Sequence, residues 1–432
     1  MKNESNAKSF AVSQILYEAL NIGEQMLICG AEVRRVEDTI FRICQAYGMK
    51  RVDVFTITSS IIVTVQTPKD EIVTQTRRIA GYEMNLSRLS QLNALSREIC
   101  ARRISPDMVE DKIRSILTVP PEPVWQEYLC YCLVSGMFTL FFGGGPADGL
   151  ASVLTGALLC VVVRQNRQRI HNRLLAALCS AVFTGLAAGV MVRLGLGQQI
   201  SKILIGNIML LIPGIPLTNS IRDMLSGDTM SGILRLCESL LLAVAIAGGM
   251  VLALYWLIPA FGNDLVMQET AKAPGGILHG WYEKKWQIGI QIVSSFFGSL
   301  GYAMLFHIRG QRVWLGALGG MAVWIFYLIT GLFTDSIYWG FTLASMAATC
   351  YGEWLARREK TPATLFLVPA VIPLIPGGSL YDTMYCAVGG DYAGFLNTGL
   401  HTLKLAAAIS IGILVASSVI QKTLRGLSGV KK

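Results

Sequence analysis

Charged residues are scarce in this sequence: only 15% of its 432 positions carry a charge, whereas 53% are hydrophobic. This composition excludes an ordinary soluble protein and indicates a membrane protein. Histidine is missing from the first 123 residues, because all four histidines follow them. That absence excludes a Ser-His or Cys-His nucleophile pair, or a histidine metal site, within this segment.

Several motifs are also missing. The ten cysteines form no CxxC pair, so we expect packing residues rather than metal ligands or disulfides. No GxxxxGK[ST] sequence is present, which argues against an ATP-driven motor, and we expect no cofactor. The first residues lack the apolar core of a secretory signal, so we expect the first 120 residues to stay in the cytoplasm.

The net charge of +9 does not indicate a nucleic-acid-binding protein. Residues 1–123 hold 16 Lys and Arg against 15 Asp and Glu, whereas residues 124–432 hold 21 against 13. The positive surplus therefore accompanies the apolar segments, as is typical of a membrane protein.

Residues 1–123 have the pattern of a small soluble α+β domain. Two amphipathic helices ending near Gly30 and Gly48 precede three runs of alternating β-branched residues, two further helices and a proline-rich breaker. The acidic residues beside Arg34 and Arg35 favour surface ion pairs over an active site.

Ten apolar segments after Pro123 approach the length of about 20 residues that a membrane crossing requires. They lie near residues 126–145, 147–163, 174–194, 201–219, 232–257, 286–307, 312–332, 336–355, 362–381 and 394–420. The sequence thus predicts an α-helical polytopic membrane protein: five spans in residues 124–257, an extracytoplasmic connection over 258–285, and five spans in residues 286–432.

The distribution of positive charge supports this arrangement. With residues 1–123 in the cytoplasm, fifteen Lys and Arg fall on the cytoplasmic side of the spans and five on the outer side. This excess fits ten crossings of the cell inner membrane with both termini in the cytoplasm.

One sequence segment, here called the repeated phrase, occurs twice in the chain. Residues 212–228 read IPGIPLTNSIRDMLSGD, and residues 375–391 read IPGGSLYDTMYCAVGGD, with six identities at a constant offset of 163. The match indicates an internal duplication. Because each copy has five spans, an odd number, the sequence predicts two inverted repeats.

Each copy interrupts a span with a Pro-Gly pair, Pro213-Gly214 in the fourth span and Pro376-Gly377 in the ninth. Proline leaves carbonyl groups unpaired, which is tolerated at membrane depth only where protein or a water-filled cavity supplies partners. Matching interruptions in two halves indicate a transporter's substrate site, although a packing kink gives the same pattern.

Glu238 and His401 occupy matching positions in the fifth and tenth spans, roughly 10 Å below the surface. A charge at this depth is expected to face the interior or a partner, and Arg235 and Lys404 lie three residues away. A carboxylate and a histidine suit proton-coupled transport, but a structural pairing between helices is equally consistent.

Other polar residues are secondary or flanking candidates. Five are expected in loops after the breaks, namely Asn219, Asp223, Asp228, Asp382 and Asp391. Gly-Asp pairs are common in turns, which favours structural roles for Asp228 and Asp391. Asp148 either caps a helix or lies at the outer mouth, and Glu353 is expected to form an ion pair near an inner end.

Four long stretches resemble the threonine/serine exporter family. They read GAEVRRVEDTIFRICQAYG, VDVFTITSSIIVTV, LIPGIPLTNSIRDMLSGDTMSGILRLCESLLLA and TPATLFLVPAVIPLIPGGSLYDTMYCAVGGD. The resemblance covers nearly the whole chain and implies a ten-span exporter in fused form. By motif, it implies a site formed by Pro213, Gly214, Asn219, Asp223, Glu238, Pro376, Gly377, Asp382 and His401.

We therefore expect a secondary exporter of threonine or serine, driven by protons or by membrane potential. One alternative is export of a dicarboxylate, succinate, which the resemblance implies for members divided between two subunits. A membrane-anchored hydrolase, which the resemblance also suggests for the soluble segment, and a channel are alternatives of other classes. The expected partners are the small-molecule substrate, protons and the lipid bilayer, without nucleic acid, and a homo-oligomer is left open.

Overall fold

The computed structural model describes residues 2–79, 81–120, 122–261, 285–388 and 390–429. The predicted connection over residues 258–285 lies largely outside these ranges. The described ranges also omit four lysines that were counted in the comparison of positive charge between the cytoplasmic and outer sides, namely Lys272, Lys284, Lys431 and Lys432.

The N-terminal part combines four helices with a three-stranded antiparallel sheet in the order β1-β2-β3. Its elements are α1 (Lys2–Ile28), α2 (Val33–Ala46), β1 (Arg51–Ile57), β2 (Ser60–Gln66), β3 (Ile72–Arg78), α3 (Leu86–Arg102) and α4 (Pro106–Leu117). Alternate residues of β2 (Ile61, Val63 and Val65) are fully buried, as its alternating sequence predicts.

Twelve helices follow Pro123 in the described part. They are α5 (Val124–Phe141), α6 (Pro146–Arg169), α7 (Arg173–Arg193), α8 (Ile200–Ile208), α9 (Gly214–Leu225), α10 (Thr229–Phe261), α11 (Lys285–Leu305), α12 (Gln311–Thr330), α13 (Ile337–Glu359), α14 (Thr364–Val371), α15 (Gly377–Val388) and α16 (Tyr392–Gly429). A short 3₁₀ turn (Ile372–Leu374) extends α14.

Six of the described helices are long and apolar enough to cross a membrane, namely α6, α7, α10, α11, α12 and α16. A seventh candidate span consists of two parts, α14 with its 3₁₀ turn and then α15, if these cross the membrane as one bent unit. The bend between the two parts is 52°. The predicted spans at 126–145, 201–219 and 336–355 correspond to α5, α8 with α9, and α13. α8 is only nine residues long, and α13 ends in charged residues. The number of ten crossings therefore stays a prediction.

Helices pack in the same order before and after the undescribed connection. α5 contacts α6 and α8, and α7 contacts α10; in the same way α11 contacts α12 and α14, and α13 contacts α16. α5 also packs on α11, which joins the two groups. Small residues allow the close pairs to form: Gly249 of α10 lies against Ala181 of α7, and Gly412 of α16 lies against Ser345 of α13.

The N-terminal part lies against one end of the helical part. The N–H of Leu86 donates to the carbonyl of Phe306 (3.0 Å), and the Arg97 guanidinium donates to the carbonyl of Lys360 (3.0 Å). Ion pairs join Glu83 to Arg167 (2.6 Å) and Glu32 to Arg222 (3.3 Å). The helical-part residues in these contacts belong to the ends and loops that the sequence assigns to the cytoplasmic side.

Gly249→Ala is expected to lower the stability of the helical part, because the added β-carbon would lie 2.5 Å from the carbonyl oxygen of Leu178. Overpacking of this kind costs about 1–3 kcal/mol. The neighbouring Gly248→Ala is the matched control, since no atom lies within 4 Å of its added β-carbon. Thermal unfolding of both variants in detergent checks this prediction. Equal unfolding midpoints would contradict the close packing of α7 on α10.

Candidate functional site

The two copies of the repeated phrase have the same backbone structure at their breaks. The N–H of Gly214 donates to the carbonyl of Ile212 (2.9 Å), and the N–H of Gly377 donates to the carbonyl of Ile375 (2.7 Å). Each bond closes a three-residue turn around a proline, and the φ of −77° and ψ of 49° at Pro213 are close to those of an inverse γ-turn. A helix of 12 residues then begins at each glycine, α9 in the first copy and α15 in the second.

The two breaks contact each other. A β-carbon built on Gly214 would overlap the Cγ2 atom of Ile375, which belongs to the second break. A β-carbon built on Gly377 would overlap the sulfur of Met209, which lies just before the first break. Any larger residue at either position would therefore displace a side chain of the other break. The two interruptions, far apart in the sequence, lie together in the structure.

A tyrosine partners a carbonyl group freed by the first break. Pro213 has no N–H to offer to the carbonyl of Met209, four residues earlier. The hydroxyl of Tyr302 on α11 donates to this carbonyl instead. The Tyr302 ring is buried and meets Phe138 of α5 edge-on, with ring centroids 6.0 Å apart. Sequence reasoning indicated that a partner was needed but did not identify Tyr302, because nothing local links the two segments.

A buried polar network lies beside the first break. The side-chain amide of Asn207 on α8 and the hydroxyl of Thr139 on α5 both donate to the hydroxyl of Ser152 on α6, at 2.8 and 2.7 Å. All three side chains are fully buried. The amide oxygen of Asn207 has no hydrogen-bond partner within the described part of the chain. An open acceptor of this kind is costly, so Asn207 is a further candidate that sequence reasoning missed.

Asn219, Asp223 and Asp382 lie inside helices α9 and α15, which corrects the expectation that they lie in loops. The helices end later, near Gly227 and Gly390, whose φ values of 98° and 73° are left-handed. A glycine in this conformation commonly ends a helix, so the residues before each Gly-Asp pair are helical.

These polar residues have different surroundings. Asp223 forms an ion pair with Arg235 of α10 (3.1 Å), and both side chains are nearly buried. Asp382 is half-buried, and its carboxylate interacts electrostatically with the positive charge of Lys202 on α8. The Nδ1 atom of His401 is hydrogen-bonded to the hydroxyl of Tyr338 on α13 (3.0 Å).

Glu238 lies on the outer surface of α10, contrary to the expectation that it faces the interior. The buried face of this helix includes Ser239, Ala243 and Ile246, and one residue along a helix turns the side chain by about 100°. Arg235, the expected neighbour, pairs with Asp223 instead. Lys404 is likewise exposed. Neither Glu238 nor Lys404 lies among the interior groups near the breaks.

The secondary candidates that cap or pair are explained locally. The Asp148 carboxylate accepts hydrogen bonds from the backbone N–H groups of Gly145, Gln198 and Gln199. The Asp391 carboxylate accepts one from the N–H of Gly394, in the first turn of α16. Glu353 pairs with Arg357 one turn along α13 (3.3 Å). These contacts match the capping and pairing interpretations of the sequence.

A cavity of about 160 Å³, here called the inner pocket, lies where the N-terminal part meets α9, α13, α14 and α16. Its charged lining residues are Glu32, Arg34, Arg35, Arg222, Asp223, Asp228 and Glu353. The guanidinium of Arg222 lowers the pKa of Glu32, with smaller contributions from Arg35 and Arg235. The inner pocket thus offers both signs of charge beside the C-terminal end of α9.

Comparison with known proteins gives consistent matches along the chain. A family model described as "Putative threonine/serine exporter" matches residues 18–257, and one described as "Threonine/Serine exporter, ThrE" matches residues 291–419. The "Threonine/serine exporter" of Corynebacterium glutamicum is 21% identical over 96% of this chain and 84% of its own. The "Probable threonine/serine exporter" of Mycobacterium tuberculosis is 24% identical over 93% of this chain and 75% of its own.

A shorter relative matches about half of the chain. The "Probable succinate transporter subunit YjjP" of Klebsiella aerogenes is 26% identical over 52% of this chain and 87% of its own length. No solved structure matches the chain.

Tyr302→Phe is expected to destabilise the protein by about 1–3 kcal/mol, because the buried carbonyl of Met209 loses its donor. In a Pro213→Ala background the loss should be smaller, since residue 213 then carries an N–H for that carbonyl. Detergent unfolding of the two single variants and the double variant measures this coupling. Tyr392→Phe is the control, because it removes the same hydroxyl group from an exposed tyrosine. Equal losses in both backgrounds would contradict the assigned role of Tyr302.

Glu32→Gln is expected to destabilise the protein by about 1 kcal/mol at pH 7, since the Glu32 side chain is still 31% exposed. The pKa of Glu32 is lowered in the folded state, so its contribution is complete above the ordinary value of 4.5 and is lost as pH falls through the folded value. Unfolding midpoints of wild type and variant should therefore converge in acid. Asp53→Asn, in an exposed pair with Arg51, is the control. A difference independent of pH would contradict the ion-pair explanation.

Proposed function

Because this chain belongs to the threonine/serine exporter family, we propose that it is a secondary active exporter of threonine or serine, driven by the proton motive force. Membership in this family indicates a multi-pass membrane transporter rather than an enzyme. The absence of a Walker A motif from the sequence favours a gradient over ATP as the energy source.

The contact between the two breaks is the observation that carries this proposal. Transporters with inverted repeats bind substrate near the membrane midplane, between discontinuous helices that one repeat contributes opposite the other. Here α9 and α15 both begin at a break, at Gly214 and Gly377. Their N-terminal ends carry partial positive charge and suit the carboxylate of an amino acid.

We assign roles to the polar residues of the same region. Asp382, half-buried on α15, suits the ammonium group of the substrate, and Asn219 is its counterpart on α9. Asp223 and His401 are the protonatable groups of the proposed proton path. Each is held by a neighbour on another helix, Arg235 and Tyr338 respectively. Pro213 and Pro376 set the turns that place these helices.

We further propose ten crossings as two inverted five-span repeats, with residues 1–123 as a separate cytoplasmic domain, in a cell inner membrane. The matching helix contacts of the two groups support the repeat. The N-terminal part touches helical-part residues 167, 222, 306 and 360, all at ends or loops assigned to the cytoplasm. Because α5, α8, α9 and α13 complete this alternation, they are included as spans.

Succinate is the second candidate substrate, since a relative named as a probable succinate transporter subunit matches about half of the chain. A dicarboxylate has no ammonium group for Asp382 and would need two cationic partners. The helix N-termini at the breaks are the groups that could meet this need. Transport measurements separate the two substrates.

Efflux from preloaded proteoliposomes tests the proposal, using labelled threonine, serine and succinate with and without an imposed pH gradient. We expect threonine or serine to leave faster with the gradient. Asp382→Asn should reduce this efflux at least tenfold, because a charged hydrogen bond is worth about 1.5–3 kcal/mol. Asp335→Asn, at an exposed carboxylate between α12 and α13, is the matched control.

Each outcome has a distinct meaning. Efflux of succinate alone would retain the transport site and reject the amino-acid substrate. Efflux that ignores the pH gradient would reject proton coupling and favour a channel. Equal activity of Asp382→Asn and Asp335→Asn would remove Asp382 from the site.

A further inference from the structure

A larger cavity, of about 720 Å³, opens between helices α2 and α3 of the N-terminal part and the turn that joins α13 to α14. We call it the arginine cleft, after Arg35, Arg42, Arg97 and Arg357 in its lining. Its volume lies within the range of about 300–1,000 Å³ that small-molecule sites have. The cleft adjoins the inner pocket, since Arg35, Glu353 and Ala363 line both.

The charges of the arginine cleft do not balance. Its four arginines face two carboxylates, Asp38 and Glu353, which leaves a net charge of 4 − 2 = +2. Asp38 pairs with Arg42 (2.7 Å), and Glu353 pairs with Arg357 (3.3 Å). Both carboxylates are therefore already engaged.

The other two arginines keep their charge. Arg97 donates to the backbone carbonyl of Lys360 (3.0 Å), which fixes the guanidinium without neutralising it. Arg35 forms no ion pair with any described residue, although its charge contributes to lowering the pKa of Glu32 in the adjoining inner pocket. Two positive groups that line one cleft favour an anion as the ligand there.

A buried hydroxyl in the same cleft also lacks a partner. Thr361, at the start of the turn after α13, is only 8% exposed. Its Oγ1 atom makes no hydrogen bond within the part of the chain that the structure describes. Buried hydroxyl groups are normally hydrogen-bonded, so an unsatisfied donor lies among the residues that line the cleft.

We propose that the arginine cleft binds a phosphate-bearing anion. Guanidinium groups match the geometry of phosphate, which accepts paired hydrogen bonds and retains further acceptors for a hydroxyl such as that of Thr361. The phosphate can come from a soluble phosphate compound or from the head group of an anionic lipid. A ligand at this position touches both α3 and α13, so it joins the N-terminal part to the helical part.

Binding is tested on the full chain in nanodiscs. In one arm, nanodiscs of phosphatidylcholine alone are titrated with pyrophosphate and with ATP by calorimetry. In the other, phosphatidylglycerol is mixed in, and lipids retained by the protein are counted by native mass spectrometry. Arg97→Gln and Arg357→Gln should each weaken binding roughly tenfold.

Two arginines outside the cleft serve as controls. Arg358→Gln changes the residue next to Arg357, whose side chain lies over Trp354 instead, and Arg114→Gln changes an exposed pair on α4. Thermal unfolding verifies that each variant is folded. If Arg97→Gln is not folded, the binding of Arg357→Gln alone is compared with that of the controls.

Saturable binding of ATP or pyrophosphate, weakened only by the cleft variants, identifies a soluble ligand. Retention of phosphatidylglycerol with the same sensitivity identifies a lipid. Absence of binding in both arms, or equal weakening by Arg358→Gln, overturns the proposal.

Discussion

The central part of this protein depends on one constraint: a backbone carbonyl that loses its helical donor among apolar side chains must find another donor. Pro213 frees the carbonyl of Met209, and Tyr302 supplies the missing hydrogen bond from α11. Tyr302 also packs on Phe138 of α5, at the contact that joins the two groups of helices. The break in one group is thus completed by a side chain of the other.

Charged contacts organise the boundary between the N-terminal part and the helices. Glu32 holds Arg222 at the end of α9, and next to it Asp223 holds Arg235 of α10. Because α9 begins at the first break, these ion pairs connect the N-terminal part with the central region through a single helix of 12 residues. A movement of α9 during transport would therefore change the ion pair between Arg222 and Glu32.

Local patterns predicted much of the fold. Alternating residues placed the strands, Gly30 and Gly48 ended two helices as expected, and the repeated phrase located both breaks. Orientation and long-range partners were not predictable in the same way. A rotation of about 100° separates exposed Glu238 from buried Ser239, and the segment that contains Tyr302 carries no mark of its partner. The sequence predicts loops at Asp223 and Asp382 because a Pro-Gly pair commonly ends a helix, whereas each break in this protein begins one.

The reciprocal packing of the breaks also bears on how such a chain can be divided. Gly214 rests on Ile375 and Gly377 rests on Met209, so each half carries only part of the central surface. Two separately synthesised fragments would each leave that surface uncovered until they met. The fragments would then become able to transport only when they associate. A fragment without its partner would be a substrate for the proteases that clear incomplete membrane proteins.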